Sequence, residues 1–181
     1  MPINTTQLRN HYLPEQIKIL FVAEAAPDSP ERFFYYDNVQ EHDWLYLALM
    51  RALYKETRTA PVDYLRGHKS ELLKRFQEDG YYVIDAINDP VAAGLSSSQR
   101  TTMVHGNADK KIAEIKSLLS ERGDSGTKII LIKATVFEGL YERLTEAALP
   151  VINDYIIPFP SSGQQQNFAE RMQEALTSTH L

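Results

Sequence analysis

The chain contains no cysteine. That single absence removes disulfides, thiolate metal sites, iron–sulfur clusters and cysteine nucleophiles, and it suits a reducing, cytoplasmic setting. Basic charge is also scarce: 19 Lys and Arg against 24 Asp and Glu leave a formal net charge of −5. Proteins that coat nucleic acid usually carry a basic footprint, so any contact with DNA would have to be confined to a local groove. No apolar stretch approaches membrane-spanning length, and the opening Met-Pro-Ile-Asn-Thr-Thr-Gln has no basic region with an apolar run behind it, so no membrane partner is expected. The histidines, His11, His42, His68, His105 and His180, show no metal-ligand spacing with one another or with acidic residues; neither a metal nor another cofactor is expected. Gly-x-Gly-x-x-Gly, Walker and Gly-x-Ser-x-Gly patterns are missing as well. This argues against a dinucleotide enzyme, a nucleoside triphosphatase and a common serine hydrolase.

What is present is an alternation of strand and helix patterns along 181 residues, 43% of them hydrophobic, enough for one domain over 1–181. Residues 17–23, Ile-Lys-Ile-Leu-Phe-Val-Ala, form the nearly continuous apolar run of a strand buried on both faces. Asp43 is placed to cap a helix running to about Lys55, with Leu45, Leu49 and Leu53 on one face. A helix over 70–79 carries Leu72, Leu73 and Phe76, stops at Gly80 and feeds a second strand, Tyr81-Tyr-Val-Ile-Asp85. Residues 86–106 hold Pro90, Gly94, Ser96 to Ser98 and Gly106 without a sustained period, which predicts a long functional or mobile loop.

Ile112, Ile115, Leu118 and Leu119 predict a helix over 108–122, ended by the turn Gly123-Asp-Ser-Gly126 and followed by a third strand over 128–133. Thr135 and Glu138 have capping-box spacing ahead of a helix with Phe137, Leu140, Tyr141 and Leu144. A fourth strand is expected within 152–157. Ser162 and Gln165 suggest a second capping box before a final helix with Phe168, Met172, Ala175 and Leu176. The order predicts an α/β fold: a three-layer α/β/α sandwich around a short, mainly four-stranded parallel sheet.

Lys18-Ile-Leu-Phe-Val-Ala-Glu-Ala-Ala-Pro27 and Asp154-Tyr-Ile-Ile-Pro-Phe-Pro-Ser-Ser-Gly163 share one design, an apolar run opening into a loop of small and polar residues. Loops at the carboxyl ends of parallel strands line the ligand crevice of open α/β sheets, so these two should meet there. On these two segments and the element order, the chain resembles the uracil-DNA glycosylase superfamily over nearly its whole length. The resemblance implies a short parallel sheet between helices and a pocket built from 24–36, 85–90, 133–135 and 159–164. It implies Glu24, or the less well aligned Asp28, as the group that polarises water, and Phe33 or Phe34 as the ring that stacks on a base. Ala25, Pro27, Asp85, Asn88, Lys133, Thr135, Pro160, Ser161, Ser162 and Gly163 would complete the pocket. The partner so implied is DNA or a free nucleobase or nucleotide, and the reaction is hydrolysis of a base–sugar bond after base extrusion.

The chain departs from the family pattern at three of these places. Asp85 stands where Asn is usual, Lys133 where glycine is often found, and Phe159 where the second motif has histidine. That histidine stabilises charge on the departing base, and an apolar ring cannot donate the hydrogen bond. Val-Ala-Glu-Ala is most similar to the iron–sulfur branch of the family, which the lack of cysteine excludes.

Each candidate also has a structural role open to it. Glu24 could be a loop carboxylate bonded to nearby amides, and the aromatic cluster at 33–36 could cover the end of the sheet. Asp85 and Asn88 suit the turn hydrogen bonds of a strand end. Lys133 could reach into solvent or lend positive charge to an anion pocket. Ser161, Ser162 and Gly163 could hold an anion at a helix start or simply cap it. Three functional classes follow: a glycosylase-like protein, a catalytically silent binding or interaction module on the same scaffold, and an α/β hydrolase using Ser161 or Ser162.

Overall fold

A strand whose successive residues are all apolar must be covered on both faces, because its side chains alternate between them. Ile19 through Glu24 are all buried in the structure, a computed structural model that describes residues 4–178 apart from the side chain of Pro30. His180 and residues 1–3 lie outside the described residues.

The elements run in the order α1 (Thr5–His11), β1 (Ile19–Ala25), α2 (Trp44–Leu53), α3 (Val62–Gly67), α4 (Lys69–Glu78), β2 (Tyr81–Ile87), α5 (Ser97–Gly106), α6 (Ala108–Arg122), β3 (Lys128–Leu131), α7 (Ala134–Glu146) and α8 (Gln165–Thr177). Short 3-10 turns lie at Pro30–Arg32 and Lys55–Thr57. The strands form an open, all-parallel sheet in the order β2-β1-β3. Ala23 sits opposite Asp85, and Val22 opposite Leu131. One contiguous core extends from Tyr12 through the sheet to Phe168, Met172 and Ala175 of α8. Gly80, at a φ of 83°, ends α4 and passes so close to the entry of β1 that a Cβ there would lie 2.8 Å from the Gln16 carbonyl oxygen. No helix among the described residues is long and apolar enough to cross a membrane.

The expected fourth strand is not formed. Residues 151–157 run beside β3 but touch it as a strand only at the bridges Ile129–Val151 and Ile132–Ile157. Between them the buried Asn153 side chain takes over the ladder: its Oδ1 accepts from the Leu131 amide at 2.9 Å and its Nδ2 donates to the Leu131 carbonyl at 3.0 Å. The side-chain amide thus imitates a peptide group while the flanking backbone bends away. The opposite edge is finished in the same manner. The Tyr35 hydroxyl accepts from the Val83 amide at 2.7 Å and donates to the Val83 carbonyl at 3.2 Å.

Other departures concern caps and one helix. The stretch 86–106 is not all loop, since α5 occupies its second half behind a capping box of Ser96 and Gln99. Neither expected capping box forms at α7 or α8. Thr135 lies inside α7 and spends its hydroxyl on Glu24, while Ser162 is exposed and α8 starts at Gln165. Asp43 occupies the N-cap of α2, but its carboxylate pairs with Arg66 instead of the helix amides, at 2.6 Å for Nη2. For Thr135 and Asp43 a tertiary partner outcompetes the local one, because a buried polar group gains most from a partner that reaches it with no water between.

Replacing Asn153 with Ala leaves the Leu131 amide and carbonyl unpaired in the core. Chemical denaturation should show a loss of about 2–4 kcal/mol, with the parallel sheet retained.

Candidate functional site

The carboxyl ends of β1 and β2 open into a cavity of about 290 Å³, at the small end of the range for ligand pockets. Its wall takes Ala23, Glu24 and Ala25 from β1, Pro27 and Phe33 to Tyr35 from the following loop, Val83 and Asp85 from β2, Lys133 after β3 and Phe159 near the C-terminus. His42, Asp43, Trp44, Leu45 and Tyr46 close another side, with Arg32 beside them. The two loop segments singled out in the sequence therefore do meet, Ala25 and Phe159 facing one space.

Glu24 is buried at 7% exposure and held by three donors. Arg100 Nη1 reaches its Oε1 at 2.6 Å, Lys133 Nζ reaches the same oxygen at 2.9 Å, and the Thr135 hydroxyl donates to Oε2. Burial alone would push the carboxyl pKa up, but the Thr135, Lys133 and Arg100 hydrogen bonds and the Lys133 charge together hold it below the ordinary value. Glu24 is thus an ionised residue with most of its acceptor capacity filled; of roughly four lone-pair directions, about one is left.

Lys133 has a φ of 88° and a ψ of 141°, a conformation that glycine adopts freely and that costs other residues on the order of 1–3 kcal/mol. Its ion pair with Glu24 and its amide bond to the Ile157 carbonyl, at 2.8 Å, hold it there. The second bond also draws the chain before Phe159 to the sheet. The Lys133 ammonium lies 5.9 Å from the centre of the Phe159 ring.

Asp85 is buried at 6% exposure and pairs with Arg9 Nη2 at 3.3 Å. Burial pushes its pKa up to about 6, although Arg9 and Lys111 pull the other way. Phe33 and Phe34, 3% and 8% exposed, are packed edge-on against Tyr35 and present little free surface beyond the cavity wall. Behind the wall, Lys69 is 1% exposed, its Nζ has no hydrogen-bond partner among the described residues, and it lies 4.5 Å from the Tyr46 ring centre. Burial lowers its pKa to about 7.

Of the residues named from sequence, Glu24, Ala25, Pro27, Phe33, Phe34, Asp85 and Lys133 line the cavity, and Thr135 acts on it through Glu24. The rest do not line it. Asp28 is exposed and accepts from the Ser29 amide. Asn88 turns to Lys111 and Glu114. Pro160 is buried outside the wall, Ser161 is occupied in a turn through its amide and carbonyl, and Ser162 and Gly163 are exposed.

Other contributors had not been expected, among them the 42–46 stretch, Arg100 and Arg9. Arg100 lies in α5, whose Ser96-x-x-Gln99 box was legible but whose helix buries only Val104 and so shows no apolar stripe. The α5 backbone can approach α7 because Gly139 lacks a side chain; a Cβ there would sit 2.6 Å from Val104 Cγ1. Arg9 belongs to α1, announced only by the Asn4 cap. His42, in a left-handed conformation at φ 58°, carried no local signal. No group of three His, Asp or Glu side chains that could hold a metal ion occurs among the described residues.

Compared with known proteins, the chain matches no family model and no curated protein.

Asp85 provides a pH signature with a definite sign. Its folded-state value near 6 lies above the ordinary value for aspartate, so between about pH 4 and 6 the folded protein keeps a proton that the unfolded chain has released. Stability conferred by that proton falls as pH rises through this window. Denaturation of Asp85→Asn should therefore gain about 2–3 kcal/mol on the parent between about pH 4 and 6 and run parallel to it outside that range. A constant difference across the series would show that Asp85 titrates normally.

Proposed function

We propose that this chain is a uracil-DNA-glycosylase-like protein that binds a nucleobase, free or extruded from DNA, in the cavity at the ends of β1 and β2. The observation that carries the reading is the convergence of Glu24 and Phe33, Asp85, Lys133 and Phe159, from four separate stretches of sequence, on one cavity of about 290 Å³. In this reading residues 151–157 are the remnant of the family's fourth strand. The walls supply part of what a base requires: Phe33 contributes apolar lining, and Asp85 offers an acceptor, or when protonated a donor as well, to a base edge.

Base binding without turnover is the better supported form. Phe159 lines the cavity where the resemblance expects the histidine that stabilises a departing base, and the acceptor sites of Glu24 are largely filled. Hydrolysis is the second reading. It is favoured by the one acceptor direction left on Glu24, which could orient water; Asp28 lies outside the cavity and has no part in it.

The only tryptophan, Trp44, lines the cavity and reports occupancy by its fluorescence. Uracil or hypoxanthine should quench or shift it saturably, and Phe33→Ala and Asp85→Ala should each weaken binding by about tenfold. No saturable response to any nucleobase, by fluorescence and by calorimetry, would remove the reading. In parallel, duplexes containing uracil, hypoxanthine or a mismatch should release no base above a buffer control. Release by the parent protein that disappears in Glu24→Gln would instead establish hydrolysis.

A further inference from the structure

The cavity wall carries three carboxylates, Glu24, Asp43 and Asp85, and each has an arginine of its own: Arg100, Arg66 and Arg9. The two lining cations, Lys133 and Arg32, are then in excess. Arg100 does not line the cavity and is tied down outside it, its Nη1 on Glu24, its Nη2 on the Ala92 carbonyl and its Nε on the Leu95 carbonyl. Lys133 is different. It is about one-third exposed, gives one ammonium hydrogen to a carboxylate oxygen that Arg100 already satisfies, and faces the cavity beside Phe159. An ammonium has three donors, so two remain for a ligand.

From this excess of positive charge we infer that Lys133 forms an anion subsite, and that the cavity takes a planar heteroaromatic ring bearing negative charge, such as a pyrimidine carboxylate, in preference to a neutral base. This deepens the base-binding reading and rests on it for the ring, though not for the charge. The strained backbone of Lys133 fits the same assignment. A glycine would relieve the strain, whereas lysine endures it and places a cation where Phe159 supplies no donor. The small cavity leaves room for a ring and a compact substituent, so the charge must sit on the ring or be attached directly to it.

The test compares matched probes at constant ionic strength near neutral pH: uracil against orotate, which adds a carboxylate to the same ring, and benzamide against benzoate, which share a shape but not a charge. Calorimetry should show the parent protein binding orotate about tenfold more tightly than uracil, a charge-assisted hydrogen bond being the difference. Lys133→Met should erase that preference, bringing the ratio of orotate to uracil affinity down to about one. Lys133→Gly, which suits the local backbone, guards against a folding defect and should behave alike.

If orotate binds no better than uracil, or if its advantage survives both substitutions, the anion subsite is wrong and the base reading stands. If uracil and orotate fail but benzoate binds over benzamide in a Lys133-dependent way, the subsite stands and the base reading falls. If none of the four binds, both fall.

Discussion

A carboxylate buried at the end of the central strand organises this molecule. Glu24 cannot remain charged in the interior without donors, and it recruits them from elements far apart in sequence: Arg100 from α5, Lys133 from the turn after β3, and Thr135 from the first turn of α7. Removing any one donor leaves the others, but removing Glu24 would leave Arg100 and Lys133 close together without the carboxylate they share, which is the costlier case. The same contacts explain features that would otherwise be unrelated. Thr135 abandons a helix cap, Lys133 keeps a glycine-like backbone, and α5 is drawn against α7 where Gly139 makes room for it.

The sheet that carries Glu24 is narrow, and narrow parallel sheets have proportionally more edge to satisfy. Here both edges are finished by side chains. Tyr35 bonds both backbone groups of Val83 on one side, and Asn153 bonds both backbone groups of Leu131 on the other. Each serves two ends, because each lies in a segment that also forms the cavity rim or runs toward it. Tyr35 fixes Phe33 and Phe34 against the wall, and the 151–157 segment delivers Phe159. Covering the edges and building the cavity are one construction, and the exposed template that invites edge-to-edge association is reduced at the same time.

The charges around the cavity follow from this frame. Three lining carboxylates, each with its own arginine, leave Asp85 strongly desolvated, Glu24 firmly ionised and Lys133 as the cation with donors to spare. Two neighbouring acids are thus pushed in opposite directions by their surroundings, the pattern expected where a site must offer both a fixed charge and a group able to change protonation. Aromatic side chains make up much of the wall around a volume of about 290 Å³.

The sequence alone determined the periodic parts of this protein. The unbroken apolar run of β1, the stop at Gly80, the helix over 108–122 and the apolar stripe of Phe168, Met172 and Ala175 all appear as expected, because burial of a face imposes a repeat that local residues reveal. The meeting of the 24–27 and 159 segments was also legible, since parallel strands deliver their following loops to one rim. Only the tertiary structure decided how polar groups were paired. Arg100 and Arg9 came from helices without an apolar stripe, Thr135 and Asp43 left local caps for distant partners, and Asn153 replaced a strand with a side chain. The reason is physical: an apolar face needs only to be covered and so leaves its mark every two or four residues, whereas a buried charge needs one particular donor at hydrogen-bond distance. That donor can come from any point in the chain that the fold brings near.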